Sequence, residues 1–144
     1  MRIPGDNTGT LLTKRILITG SREWVDRNVI HRAVSEWTRD NVPQNEVVTL
    51  VHGDASRGAD RMARDFARAM WWIEEEAHPA DWSWGSRTAG HERNQLMVDL
   101  GADVCLAFVQ GKANGTRDCI KKAHAAGIPV VVYYADVDNV TEEA

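Results

Sequence analysis

Four groups of glycine, polar and charged residues recur along this sequence, and each follows a short apolar run. The groups are Gly20-Ser21-Arg22, residues 53–60 (GDASRGAD), residues 85–94 (GSRTAGHERN) and residues 111–116 (GKANGT). Glycine lets the backbone approach a ligand closely, and arginine can bind a phosphate through two N–H groups. A helix that begins in such a group offers unpaired amide N–H groups to an anion. Together the four groups predict a site for a phosphate-bearing ligand.

None of these groups is a standard nucleotide fingerprint. Gly53 and Gly58 have the spacing of a P-loop, but Ala59-Asp60 stands where Lys-Ser/Thr is required. The first group reads GSREWV rather than GxGxxG. These departures argue against a nucleoside-triphosphate hydrolase and against a dinucleotide-dependent hydride-transfer enzyme. No HExxH, CxxC or EF-hand pattern occurs and the five histidines are scattered, so neither a metal nor another cofactor is predicted.

The elements that position these groups can be read from the alternation of apolar runs and helical patterns. Strands are predicted at 15–20, 47–52, 73–78, 102–109 and 129–134, and helices at 26–39, 59–70, 91–100 and 116–126. Asp26 is a candidate N-cap, and Gly127 a candidate left-handed cap after the last helix. The alternation predicts the α/β class: a single Rossmann-like, doubly wound domain with a mostly parallel sheet of about five strands.

The predicted domain covers residues 15–134, between a flexible leader (1–14) and an acidic edge segment or tail (135–144). Ligands of open α/β sheets bind outside the carboxyl ends of the strands. Gly20, Gly53, Gly90 and Gly115 should therefore lie along one edge of the sheet. Each glycine taken alone is explained equally well by a tight turn.

Composition narrows the class of protein further. The chain has 144 residues, 43% hydrophobic and 26% charged, which is typical of a globular domain. Its net charge of −4 argues against a nucleic-acid ligand. No apolar run approaches the roughly 20 residues needed to span a bilayer, and the first thirteen residues lack the apolar core of a signal peptide. With only two cysteines, Cys105 and Cys119, a cytoplasmic protein with free thiols and no membrane contact is predicted.

Several segments also carry a family resemblance. They are residues 17–24 (LITGSREW), 51–63 (VHGDASRGADRMA), 79–97 (PADWSWGSRTAGHERNQLM), 102–116 and 123–130 (AHAAGIPV). They resemble the SLOG superfamily, in particular its YspA/YpsA-like branch, which is related to the Lonely Guy phosphoribohydrolases and the DprA/Smf proteins. The resemblance runs in register from about residue 15 to residue 134. It implies a Rossmann-like domain that binds a nucleotide or a nucleotide-derived ligand.

The resemblance also implies roles for particular residues. Lonely Guy enzymes have an arginine in a segment similar to HERN, and Arg93 matches it. They also have PGGxGTxxE, whose glutamate takes part in cleaving the N-glycosidic bond, but here the loop is longer and that position is Cys119. Asp118 precedes it and points about 100° away around a helix. The catalytic candidates are therefore Arg93 and Asp118, and the missing glutamate favours binding over hydrolysis.

The predicted ligand-binding residues come from all the groups. They are Gly20, Ser21, Arg22, Gly53, Gly58, Asp60, Arg93, Asn94, Gly111, Gly115 and Thr116. Arg57 and Arg87 lie in the same loops but can equally be surface residues. Asp60 either complements the dipole of its helix or holds a ribose hydroxyl. An anion is expected between the 111–116 loop and the start of the helix that bears Arg93.

Aromatic residues near the loops leave two interpretations open. Trp24, Trp82 and Trp84 could stack on a base or wedge the loops against the core. Adjacent residues of a helix cannot both face one core, so Trp71-Trp72 predicts one exposed ring. That ring, with the oligomeric Lonely Guy relatives, predicts a homodimer or larger assembly.

Three functions follow in order of preference. The first is a module that senses, carries or sequesters a nucleotide-derived small molecule. The second is a hydrolase of the base–ribose bond of a nucleotide, which requires Asp118 to replace the missing glutamate. The third is a DNA-handling protein, which the acidic charge disfavours.

Overall fold

The computed structural model of the protein describes residues 13–83, 88–135 and 140–143. Within these residues, six strands and four helices follow one another in alternating order until the last two strands. They are β1 (Arg15–Gly20), α1 (Arg27–Asn41), β2 (Val48–His52), α2 (Ala59–Ala69), β3 (Ile73–Ala77), α3 (Ala89–Leu100), β4 (Val104–Gln110), α4 (Asn114–Ala125), β5 (Val130–Ala135) and β6 (Val140–Glu143).

The strands form one sheet in the order β3-β2-β1-β4-β5-β6. Strands β1 to β5 are parallel, and β6 pairs antiparallel with β5. The structure confirms the predicted Rossmann-like α/β domain with a mostly parallel sheet of about five strands. Because strand order reverses between β1 and β4, this is the switch point where open α/β sheets bind ligands.

Helices cover both faces of the sheet, and successive strand residues point to opposite faces. Ile16 and Ile18 of β1 pack in a core with the buried residues of α1 and α2. Leu17 packs in a second core with the buried residues of α3 and α4. The side chains of Ile16, Leu17 and Ile18 are fully buried. Burial on two faces explains why the strands are near-continuous apolar runs rather than alternating patterns.

Several helix ends confirm the sequence signals. The Asp26 carboxylate accepts a hydrogen bond from the amide of Asn28 and is the N-cap of α1. Gly127 follows α4 with φ of 77°, as the left-handed cap prediction required. The helix starts were placed too late: α3 begins at Ala89 rather than residue 91, and α4 at Asn114 rather than Thr116.

The end of α2 corrects the reasoning about the adjacent tryptophans. The helix ends at Ala69, so Trp71-Trp72 lies in the turn before β3 rather than in the helix. One ring is exposed, as predicted: Trp71 is 71% exposed, whereas Trp72 packs against the core. A homodimer or larger assembly stays a prediction.

The acidic C-terminal segment contributes to the sheet. Residues 140–143 form the edge strand β6, with Val140 opposite Ala135 and Glu143 opposite Val132. Of the predicted leader, residues 1–12 lie outside the described residues.

Among the residues that the structure describes, no helix is long and apolar enough to cross a membrane. No group of three or more histidine, cysteine, aspartate or glutamate side chains among them is arranged to hold a metal ion.

Candidate functional site

A cavity of about 530 Å³ opens at the carboxyl ends of the central strands. All four glycine groups of the sequence contribute to it, and Gly20, Gly53, Gly90 and Gly115 line it together. The prediction that these glycines share one edge of the sheet is confirmed. The cavity is also lined by Ile18, Thr19, Ser21, Arg22, Glu23, Ala55, Asp60, Trp82, His91, Arg93, Asn94, Met97, Lys112, Ala113, Asn114 and Thr116.

The start of α2 is closed by the loop that follows β1. The carbonyl oxygen of Ser21 accepts hydrogen bonds from the amides of Ala59 (3.1 Å) and Trp24 (3.2 Å). Gly58 has φ of 77°, and a Cβ there would collide with the backbone of Ser21 and Arg22. Gly58 does not line the cavity. Glycine is required here for loop packing, and the first amide of α2 is already bonded.

The start of α4, in contrast, has no side-chain cap. Its N-cap residue, Ala113, has left-handed backbone angles (φ 48°, ψ 48°), which are uncommon for a residue with a side chain. A Cβ at Gly115 would meet no atom within 4 Å, and the side chain of Thr116 is buried in the wall. Lys112 also lines this end of the cavity. Uncapped amides, a hydroxyl and an ammonium group are the donors that a phosphate requires.

Arg93 lies beside this end, on α3. Its Nη1 donates to the carbonyl oxygens of Gly53 and His78, and its Nε donates to Oδ1 of Asn94 at 2.8 Å. All three acceptors are neutral, and no carboxylate of the described residues forms an ion pair with Arg93. The guanidinium is therefore fixed in orientation, and no ion pair with a carboxylate of the described residues neutralises its charge.

Asn94 connects α3 to α4. Its side chain is buried, and Nδ2 donates to the Gly115 carbonyl oxygen and to Oδ2 of Asp118, both at 3.1 Å. Because Oδ1 accepts from Arg93, both the oxygen and the nitrogen of the Asn94 side-chain amide are hydrogen-bonded. Asn94 lines the cavity, but its hydrogen bonds position the Gly115 backbone and the Arg93 side chain.

Asp118 was the acid candidate, and the structure places it outside the cavity lining. It forms an ion pair with Lys122 (2.5 Å), and Nδ1 of His91 lies 3.3 Å from the same carboxylate. Burial alone would raise the pKa of Asp118, but the hydrogen bonds from Lys122 and Asn94 outweigh burial and lower it. Asp118 is therefore an ionised, paired carboxylate, which is a poor proton donor.

Asp60, the second residue of α2, is a buried carboxyl group of the site. Its side chain is buried and lines the cavity, and Oδ2 accepts a hydrogen bond from the Ala55 amide at 3.2 Å. Burial raises the pKa of Asp60, although His52, the amides of Ala55 and Gly53, and the charge of Arg93 lower it in part.

Sequence reasoning missed His52, which lies at the end of β2 and is fully buried. Its Nδ1 accepts from the amide of Asp54 (2.9 Å), so the ring proton is on Nε2 and is donated to Glu75 at 2.6 Å. Glu75 also accepts from Arg68. The available signal was a histidine that ends an apolar strand directly before Gly53. This chain of contacts fixes the backbone that leads from β2 to Asp60.

The tryptophans near the loops differ in burial and in position. Trp24 is 1% exposed, packs edge-on against Phe108 and donates from its ring nitrogen to the Asp26 carbonyl. The suggestion that Trp24 stacks on a base is therefore wrong, because its faces are in the core. Trp82 is 52% exposed, lines the cavity and lies against Gly90. Trp84 lies outside the described residues.

Of the remaining predicted site residues, some line the cavity and others do not. Ser21 and Arg22 line the cavity, whereas Gly111 does not. Arg57 is absent from the lining and forms an exposed ion pair with Glu23 at 3.4 Å. Arg87 lies outside the described residues.

Cys119, at the position of the missing glutamate, is fully buried and packs between α4 and the sheet. It is absent from the cavity lining and contacts Cys105 of β4. The hydrogen bond with Cys119, together with burial, raises the pKa of the Cys105 thiol well above its usual value. This pair belongs to the core and presents no exposed nucleophile.

Comparison with known proteins agrees with the fold and the order of the motifs. Residues 14–85 match the YspA, cpYpsA-related SLOG family. The chain is 46% identical over 122 residues to the Gene 61 protein of Mycobacterium phage D29, which covers 82% of this chain and 94% of that protein. No solved structure matches the chain.

Proposed function

The chain belongs to the YspA, cpYpsA-related SLOG family, and on this premise we propose that it binds a nucleotide or nucleotide-derived small molecule in the cavity at the switch point. The proposal is carried by two positively charged features of one cavity, neither of which has an anionic partner among the described residues. The uncapped start of α4 and the guanidinium of Arg93, which has no carboxylate partner among the described residues, both line it. An anionic group between them would satisfy both.

The phosphate is proposed to bind at the first turn of α4. There the Gly115 position leaves room for close approach, and the Thr116 hydroxyl and the Lys112 ammonium can add hydrogen bonds. Arg93 can contribute Nη2, because Nη1 and Nε are held by Gly53, His78 and Asn94. The start of α2 is a weaker candidate, since its first amide is bonded to Ser21.

The base is proposed to lie against Trp82, whose half-exposed ring forms a wall of the same cavity. An aromatic side chain can stack on any base, at about 1–3 kcal/mol for each stacked base. A cavity of about 530 Å³ is within the size range of small-molecule sites. The proposed ligand is therefore a phosphate-bearing molecule with an aromatic base.

Binding without hydrolysis is preferred over N-glycosidic cleavage. The glutamate of the Lonely Guy motif is replaced by the buried Cys119, and Asp118 is held in ion pairs outside the cavity lining. Neither Cys119 nor Asp118 therefore supplies the cavity with the acid that the related hydrolases use.

A thermal-shift screen with AMP, ADP-ribose, cyclic AMP and inorganic phosphate tests the proposal. A ligand at about 100 times its Kd should add about 2.7 kcal/mol to the free energy of unfolding. Incubation with nucleoside monophosphates, followed by chromatography for free base, separates the two activities. Stabilisation without release of base supports a binding module, release of base supports the hydrolase, and no stabilisation by any of the probes contradicts the proposed ligand class.

A further inference from the structure

Asp60 is a buried carboxyl group in the wall of the cavity that is proposed to bind an anion. Its side chain is 7% exposed, and no residue of the described chain forms an ion pair with it. Among the described residues, the carboxyl accepts hydrogen bonds only from backbone amides, those of Ala55 and Gly53. Within the described residues, the other ionisable groups close to it therefore act through space and not through a direct hydrogen bond.

The groups that face Asp60 come from three elements. His52 on β2 has its Nδ1 occupied by the Asp54 amide, and its charge lowers the pKa of Asp60 in part. Arg93 on α3 also lowers the pKa of Asp60 through its charge, and its Nη1 and Nε donate to neutral oxygens of Gly53, His78 and Asn94. On α4, the negative charge of an ionised Asp60 would make it harder for the Cys119 thiol to lose its proton.

An ionised carboxylate is costly in such a place. Removing an unpaired carboxylate from water is unfavourable, and a group that lacks a counter-ion keeps its proton instead. Burial accordingly raises the pKa of Asp60. A carboxylate would also repel a phosphate bound beside Arg93 in the same cavity, whereas a protonated carboxyl can donate to it.

We propose that Asp60 is a protonated carboxyl that donates a hydrogen bond to an acceptor oxygen of the bound ligand, so that the cavity prefers anionic ligands at low pH. The proposal rests on the proposed function, and it assigns Asp60 as a specificity-determining residue of that site. A protonated carboxyl selects an acceptor, whereas an ionised one would select a hydroxyl or a cation. The ligand class is therefore one that places a phosphate or carbonyl oxygen against the start of α2.

The first test needs no ligand. Thermal unfolding of the wild type and of Asp60→Asn is compared from pH 4.5 to pH 8, because asparagine imitates the protonated carboxyl. A carboxyl whose pKa is raised on folding stabilises the protein below its unfolded pKa, and this contribution is lost as pH rises through the folded pKa. The Tm of the wild type should therefore fall relative to that of Asp60→Asn by about 3 °C or more. A constant difference across this range overturns the proposal.

The second test measures the affinity for ADP-ribose by calorimetry over the same pH range. Its pyrophosphate is esterified at both ends and so lacks the second ionisation, near pH 6, of a phosphate monoester. His91, which also lines the cavity, is removed by working in the His91→Gln background. The affinity should fall about tenfold or more with rising pH in this background and stay constant when Asp60→Asn is added.

The outcomes of the two tests are distinguishable. An affinity that is independent of pH, or that rises with pH, overturns the role of Asp60 even when ADP-ribose binds tightly. If neither ADP-ribose nor inorganic phosphate binds at any pH, the proposed function fails and the ligand contact fails with it. Asp60→Leu serves as the second variant: it keeps the neutral charge but removes the hydrogen bond, and it should weaken ADP-ribose at every pH.

Discussion

The guanidinium of Arg93 occupies the space that a side chain at Gly53 would need, and its Nη1 donates to the Gly53 carbonyl oxygen. The two residues are 40 positions apart in sequence, on the loop after β2 and on α3. A side chain at residue 53 would displace the guanidinium from this position, and the hydrogen bond to Gly53 in turn holds the arginine at the cavity.

Replacing Arg93 by alanine should weaken the best ligand of the screen by about ten- to a hundredfold, since a hydrogen bond to a charged group contributes about 1.5–3 kcal/mol. The protein should also become less stable, because three neutral acceptors lose their donor. Calorimetry measures the first effect and thermal unfolding the second. Arg61→Ala, on the exposed side of α2, is the matched control. Affinity that is equal in the Arg93→Ala and Arg61→Ala variants would remove Arg93 from the site.

Replacing Gly115 by alanine should separate binding from folding. A Cβ there meets no protein atom within 4 Å, and alanine is a better helix former by up to about 1 kcal/mol. The free energy of unfolding should therefore stay the same or rise slightly, while the new methyl group obstructs a phosphate at the first turn of α4. A titration that shows unchanged affinity in a folded Gly115→Ala protein would place the anion elsewhere.

Replacing Glu76 by glutamine should reduce stability more at neutral pH than in acid. The two carboxylate oxygens of Glu76 accept from Arg15, each at 2.8 Å, and these bonds with the contact to His78 lower the pKa of Glu76 to about 2. A lowered pKa stabilises the folded protein above the unfolded pKa, and the contribution is lost as pH falls towards 2. Allowing for solvent screening, the cost at pH 7 should be about 1–2 kcal/mol.

Chemical denaturation at pH 7 and at about pH 3 measures this difference. Glu74→Gln on the same strand is the control, because Glu74 is exposed and has no ion pair among the described residues. A cost that is the same at both pH values would show that the Arg15–Glu76 pair is not responsible.

Replacing Cys119 by alanine should leave ligand affinity unchanged, because the thiol does not line the cavity. Stability should fall by about 1 kcal/mol, since a fully buried side chain loses its largest atom. The native thiols should also react slowly with a disulfide reagent until the protein is unfolded. Intact binding together with lost turnover of a nucleotide in this variant would contradict a simple binding module and restore the enzyme.

Much of the fold could be predicted from local patterns. The runs that became β1 and β4 are mostly apolar because both faces of a parallel sheet are covered. Asp26 precedes a helix because its side chain can accept from an amide of the first turn. Helix starts were less well predicted. Ala113 adopts a left-handed conformation that no residue preference of alanine indicates, and α4 begins directly after it.

The contents of the site depended on partners distant in sequence. Nothing in the segment HERN says that Arg93 binds Gly53, or that Asn94 uses its amide on Gly115 and Asp118. Likewise, Trp24 and Trp82 both follow a strand, yet one ring is in the core and the other is in the cavity wall. Such contacts form only when separate segments are packed together.

By itself, the sequence determined the α/β class, the order of strands and helices, and the edge of the sheet where the glycine groups meet, because each follows from periodicity and turn residues within one segment. The tertiary structure alone decided which groups remain available to a ligand. It paired Asp118 with Lys122 and left Asp60 buried without a counter-ion among the described residues. The physical reason is that a side chain's charge state and free hydrogen-bonding capacity depend on burial and on partners brought from other elements, and neither is encoded in local spacing.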